Sequence, residues 1–173
     1  MTRLRQFLER ILPPGMDPKP LCGTFVAGSV ISVLGSLGFW LRYTVAFHEI
    51  YETVGGKAQR IEGAMMPDFI SLLGDGWLEN ALSCFVVLAC IMPLFVIYHY
   101  IYHRQGARSD YLMRRLPRRW VWHARCLALP LLAGVAALAL GFVVLMLDFG
   151  LYMLFTPGDA ILPGQWLKIW SVL

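Results

Sequence analysis

The sequence predicts an all-α integral membrane protein. It has three transmembrane helices, an N-terminal amphipathic helix lying in the membrane interface, and a short cytoplasmic helix between the second and third spans. Three observations carry this reading. Of 173 residues, 58% are hydrophobic and only 15% charged, against about 45–50% and about 25% in a soluble domain, and the mean hydropathy is +0.60. The apolar residues gather in three mostly apolar stretches, 21–41, 77–98 and 126–147, each near the ~20 residues that a helix needs to cross ~30 Å of hydrocarbon. The charges segregate by sign between the connections. This composition excludes a disordered chain, which needs low hydrophobicity and high net charge, and argues against a soluble enzyme.

Residues 1–20 open the chain on the cytoplasmic side. Leu4, Phe7, Leu8, Ile11 and Leu12 fall on one helical face, with Arg3, Arg5, Glu9 and Arg10 on the rest, and Pro13, Pro14 and Gly15 stop the helix. A short basic amphipathic helix of this kind lies in the headgroup layer. It also presents a polar face on which a partner could dock. A cleaved leader is not expected, because the apolar run that follows the break is long enough to span.

The first span occupies 21–47, with Trp40, Tyr43 and Phe47 at headgroup level, where Trp and Tyr concentrate. Thr24, Gly28, Ser32 and Ser36 recur every fourth residue along it. Residues 48–76 form an acidic extracellular loop of net charge −3. The second span, 77–102, opens on Trp77. Residues 103–125 form a cytoplasmic connection holding seven arginines against Asp110 alone, a net +6. The third span, 126–155, carries a second small-residue stripe of Ala133, Ala137 and Gly141, and residues 156–173 form an extracellular tail anchored by Trp166 and Trp170. Lys and Arg mark cytoplasmic connections, so the N-terminus lies inside and the C-terminus outside. Small-xxx-small stripes let helix backbones approach closely in lipid, either on each other or on another membrane subunit.

Ionisable residues near the spans are the candidates for chemistry. Arg42 and Asp148 sit at the outer ends of the first and third spans, where they either form an ion pair or reach separately to the interface. His99 and His103 share a helical face, and His123 and Cys126 lie three apart. These are metal-ligand types at usable spacings, but no carboxylate or Cys-x-x-Cys motif reinforces them, and interfacial histidines are the plainer reading. The four cysteines, Cys22, Cys84, Cys90 and Cys126, read as buried small hydrophobes rather than a disulfide framework. His48 and Glu49 lack the second histidine of a zinc-protease motif. No phosphate loop, dinucleotide fingerprint or nucleophile elbow is present, so neither catalysis nor a cofactor is expected. Anionic lipid already accounts for the arginines, so nucleic acid is not an expected partner.

The basic connection is more than a polybasic tail. Ser109 can cap a helix, Asp110 suits its first turn, Tyr111, Leu112, Met113, Arg114, Arg115 and Leu116 follow at helical spacing, and Pro117 ends it. The order of interfacial helix, span, outer loop, span, short cytoplasmic helix and span resembles the first half of an ABC-2 type transporter permease. The run from Ser109 to Pro117, together with Tyr152-Met-Leu-Phe-Thr-Pro and Pro163-Gly-Gln-Trp, is similar to small bacterial membrane proteins associated with ABC transporter ATPases. The resemblance implies that residues 111–116 dock on an ABC ATPase subunit. It also implies that a three-span chain, half the usual complement, works beside other membrane subunits, copies of itself or different chains, in a bacterial cell membrane. A small membrane sensor or scaffold is the alternative.

Overall fold

A computed structural model describes residues 18–54, 57–74, 76, 79–104 and 119–169. The expected N-terminal amphipathic helix and the 109–117 helix fall outside them. The architecture is helical except for one hairpin. In chain order it comprises α1 (Lys19–Glu49), β1 (Tyr51–Val54), β2 (Lys57–Arg60), α2 (Phe69–Leu73), α3 (Ser83–Arg104), α4 (Arg119–Phe155) and α5 (Gln165–Ile169). The three long helices, α1, α3 and α4, are each long and apolar enough to cross a membrane. With 31, 22 and 37 residues and about 1.5 Å of rise per residue, α1 and α4 exceed a bilayer core and α3 roughly matches it.

The outward faces of these helices are apolar, unlike those of a soluble protein, and some polar side chains are buried. Ile31 and Leu41 are 61% and 69% exposed, while Ser32 is 1% and Asp148 4% exposed. Only 17–28% of each apolar window is buried within the chain. Apolar side chains turned outward and polar ones inward are stable where the solvent is hydrocarbon. The chain is a multi-pass helical membrane protein.

The chain divides into two compact units. The first, Met1–Val30 with Phe85–Leu140, contains Pro93 and Pro130 and is termed the proline unit. Leu88, Met92 and Ala137 form its core, with Phe25, Phe95 and Ala133 against them. Close approach depends on glycine. A Cβ on Gly28 would lie 2.4 Å from a Leu88 methyl, and one on Gly134 would lie 3.2 Å from the Ala89 carbonyl oxygen.

The second, Ile31–Cys84 with Gly141–Leu173, is the hairpin unit. Along α1 and just past its end, its buried residues are Ser32, Ser36, Phe39, Tyr43, Ala46 and Ile50. They step by three or four, the seam of a helix packed along its length. Past Ile50 the chain turns into the antiparallel pair β1–β2, registered Tyr51 to Arg60 and Val54 to Lys57. Asn80 then starts α3: its Oδ1 accepts the Leu82 N–H at 2.9 Å and its carbonyl accepts the Ser83 hydroxyl at 2.8 Å. The helix therefore begins at Ser83, later than the apolar run suggests. The Gly76 carbonyl accepts from the Glu79 and Asn80 N–H groups, so the residues just before α3 are spent on a turn. The region between the first two spans, read from sequence as an acidic loop, carries a folded cap.

Candidate functional site

The cap rests on aromatic rings. Phe69 of α2 meets Phe39 of α1 at 5.3 Å and Phe149 of α4 at 5.2 Å between ring centroids, and Tyr43 meets Tyr152 edge-on at 6.1 Å. The tyrosine hydroxyls reach polar partners at the rim. Tyr152 donates to the Pro67 carbonyl at 3.0 Å, and Tyr43 shares a 3.4 Å contact with the Thr156 hydroxyl.

Four polar arrangements tie this unit together. Asp68, just ahead of α2, accepts from Gln165 Nε2 at 2.8 Å and from Lys168 Nζ at 2.5 Å, both on α5. Gln165 Oε1 in turn accepts the Phe69 N–H at 3.2 Å. That pairing satisfies an otherwise orphaned donor at the start of α2. The Lys168 hydrogen bond, and then the Gln165 one, hold the Asp68 carboxyl below the usual carboxylate range. Arg60 of β2 pairs with Asp159 and donates to the Ala64 carbonyl at 3.1 Å. The Met66 N–H donates to the Ala160 carbonyl at 3.0 Å.

Arg42 and Asp148, which could have paired or reached out separately, have separate partners. The Arg42 guanidinium donates to the Glu79 carbonyl at 2.8 Å and, more weakly, to the Leu72 carbonyl at 3.4 Å. It clips the end of α2 to the start of the turn before α3. Gly74 makes room for it: φ is +106°, and a Cβ there would sit 2.3 Å from Arg42 Nη1. Asp148 Oδ1 accepts the Trp40 indole N–H at 3.0 Å, and Oδ2 is buried with no partner. A guanidinium needs acceptors, and the Leu72 carbonyl at the end of a short helix and the Glu79 carbonyl of the following turn supply them. The pair is therefore replaced by an arginine–backbone clip and a tryptophan–carboxyl contact.

In the proline unit, the residues with metal-ligand spacing are engaged in helix packing. Pro130 has no N–H, so the Cys126 carbonyl four residues earlier loses its helical partner. His99 Nδ1 of α3 lies 3.1 Å from that carbonyl oxygen. The contact requires the proton on Nδ1. A neighbouring helix resatisfies a carbonyl freed by proline, which is how prolines are accommodated within membranes. Tyr100 hydrogen-bonds His123 Nδ1, with the two rings stacked at 5.8 Å. The His103 side chain lies outside the described residues. Among the described residues, no group of three or more His, Cys, Asp or Glu is placed to hold a metal ion.

The small-residue stripes pack within the chain. Gly28 and Ala137 contribute to the proline unit, Ser32 and Ser36 are buried in the hairpin unit, and Gly141 is buried, while Ala133 is partly so. All four cysteines are free; Cys126 is buried, but Cys90 is exposed among apolar neighbours of α3 rather than buried. Residues Tyr111, Leu112, Met113, Arg114, Arg115 and Leu116 lie outside the described residues, within the segment joining α3 to α4.

The sequence reading missed Trp40 as the partner of Asp148, Gly134 as a contact point, and the Asp68–Gln165–Lys168 junction. Only the first two carried a signal: Trp40 sits one turn before the tyrosine of the buried seam, and Gly134 sits beside the predicted stripe. The third joins positions about a hundred residues apart, which no local pattern links. Comparison with family models, with curated proteins and with solved structures gives no match.

Proposed function

We propose that the chain is a non-catalytic transmembrane subunit of a bacterial ABC-type, ABC-2-like export complex. Its N-terminus is cytoplasmic and its C-terminus extracellular. The carrying observation is the placement of the basic segment. Helix α3 ends at Arg104 and α4 begins at Arg119, so the arginine-rich residues between them join two membrane helices directly. An ATPase subunit that grips Tyr111, Leu112, Met113, Arg114, Arg115 and Leu116 would move both helices at once. Apolar anchors rimmed by arginines suit a groove on such a partner. Three spans are half the complement of the permease it resembles, so a transport path would be built with other membrane subunits.

A second reading, a membrane sensor or scaffold without transport activity, is favoured by the folded cap of hairpin, α2 and α5. One purification separates the two. The tagged chain, extracted in a mild detergent, brings down an ATP-binding subunit, and Leu112→Asp combined with Arg115→Glu abolishes the capture while leaving insertion intact. Recovery of the folded chain with no ATPase overturns the transporter reading and leaves the scaffold. A reporter active only in the cytoplasm, fused after Leu173, stays silent in the proposed orientation; a signal there reverses it.

A further inference from the structure

Asp148 is an aspartate within a membrane-spanning helix, 4% exposed. It belongs to the ring-rich hairpin unit, with Trp40 and Tyr43 on α1 and Phe149 and Tyr152 on α4. One carboxyl oxygen, Oδ1, takes the Trp40 indole proton at 3.0 Å. The other, Oδ2, has no surface open to solvent and no hydrogen-bond donor. An ionised carboxylate in apolar surroundings requires a cation or several donors, and this one has a single neutral donor.

Among the described residues, the cations and the tyrosines of the elements around it have partners elsewhere. On α1, Arg42 donates to the Leu72 and Glu79 carbonyls, and His48 Nδ1 contacts the Thr44 carbonyl. Tyr43 contacts Thr156, and Tyr152 on α4 donates to Pro67. Before α2, Asp68 holds Lys168 of α5, and Arg60 of β2 pairs with Asp159. None of these is a hydrogen-bond partner of Asp148.

We propose that Asp148 is a proton-binding site: it is a neutral carboxylic acid when the hairpin unit is closed, and its proton locks the Trp40–Asp148 contact between α1 and α4. The ligand is the proton itself. The indole N–H bonds the carboxyl oxygen that carries no hydrogen, and the acid proton resides on Oδ2. Loss of that proton to water leaves a buried anion with one donor, so the anion is stable only if α1 and α4 part enough to admit water. Opening of the hairpin unit and release of one proton are thereby the same event. An intramembrane carboxyl with this behaviour is a recurrent device for coupling helix movement to proton uptake.

Infrared spectroscopy of the full chain in lipid nanodiscs tests this. At neutral pH the wild-type protein shows a protonated-carboxyl C=O stretch that shifts in heavy water and is missing in Asp148→Asn. Trp40→Phe removes the hydrogen bond to the C=O oxygen and moves the same band to higher frequency. On raising the pH, the band fades together with the near-ultraviolet tryptophan signal of the closed unit, whereas Asp148→Asn, neutral at every pH, keeps that signal. An acid band that is absent at neutral pH in the wild type, or unmoved by Trp40→Phe, overturns the proposal. So does an alkaline loss as steep in Asp148→Asn as in the wild type. Should Asp148→Asn fail to fold, the wild-type band and its response in Trp40→Phe still decide.

Discussion

His99 offers the sharpest quantitative test of how the spans are held. Its imidazole supplies the proton that Pro130 cannot, on the Cys126 carbonyl at 3.1 Å. His99→Phe keeps a buried ring of similar size but orphans that carbonyl. Leaving a buried acceptor unpaired costs about 1–3 kcal/mol in proteins generally, while interhelical hydrogen bonds in membranes average about 0.6 kcal/mol with a maximum near 1.7. His99→Phe should therefore destabilise by about 1 kcal/mol. In a Pro130→Ala background, the substituted residue has an N–H that can close the helical bond to Cys126, so the same His99→Phe change orphans nothing. The double-mutant cycle should show a coupling of about 1 kcal/mol, with His99→Phe tolerated better once the proline is gone. The assay is unfolding by titration with a denaturing detergent from mixed micelles, followed by far-ultraviolet circular dichroism on all four variants. A coupling below about 0.3 kcal/mol, the scatter of unconnected sites, would refute the compensation.

Other substitutions probe the remaining contacts. Gly74→Ala places a Cβ against the Arg42 guanidinium and the Glu79 backbone at a φ of +106°. Strained backbone of this type costs about 1–3 kcal/mol, so Gly74→Ala should lower the midpoint of the same detergent titration, and an unchanged midpoint would contradict the clip. Gly134→Ala pushes on a backbone oxygen, whereas Gly28→Ala meets a Leu88 methyl that can swing aside. Measured alike, Gly134→Ala should be the more destabilising of the two relative to its steric overlap. The depressed Asp68 carboxyl makes the α5 junction acid-labile. Its stabilisation is complete above the unfolded aspartate value of about 3.9 and is lost as the pH falls through the lower folded value. Fluorescence of Trp166 should report release of α5 below about pH 4, and Lys168→Met should shift that release to higher pH.

The spans were legible because hydrocarbon imposes a one-dimensional rule: continuous apolar length. The small-residue stripes were legible for a related reason, since Gly28, Ser32 and Ser36 recur every fourth residue, as do Ala133, Ala137 and Gly141. The start of α3 at Ser83 rather than Trp77 was not, and nor was what sets the end of α1. Helix α1 continues to Glu49 past Arg42, because the seam of Phe39, Tyr43, Ala46 and Ile50 packs into the cap, and hydropathy does not register packing. The hairpin had only half a local signal: Gly55-Gly56 follows the β-prone Tyr51, Thr53 and Val54, but Lys57, Ala58, Gln59 and Arg60 after it are poor strand formers. Arg42 and Asp148 were correctly singled out as unusual positions. Their partners, a pair of carbonyls and an indole, depend on three-dimensional placement that charge alone does not encode. The histidines and Cys126 resembled ligands because proline compensation uses the same residue types at the same helical spacing.

The tie between Asp68 and α5 also sets an order of events during synthesis. Gln165 and Lys168 follow Asp68 by 97 and 100 positions, and α3 and α4 lie between. While the ribosome is still making these helices, Phe69 and the rings around it are without their covering segment, and Asp68 is without its lysine. The cap can close only after the final apolar helix has been delivered into the bilayer. Closure therefore requires that α1, α3 and α4 have all been made, and a chain stalled before α5 would leave the Phe69 N–H and the Asp68 carboxylate without Gln165 and Lys168.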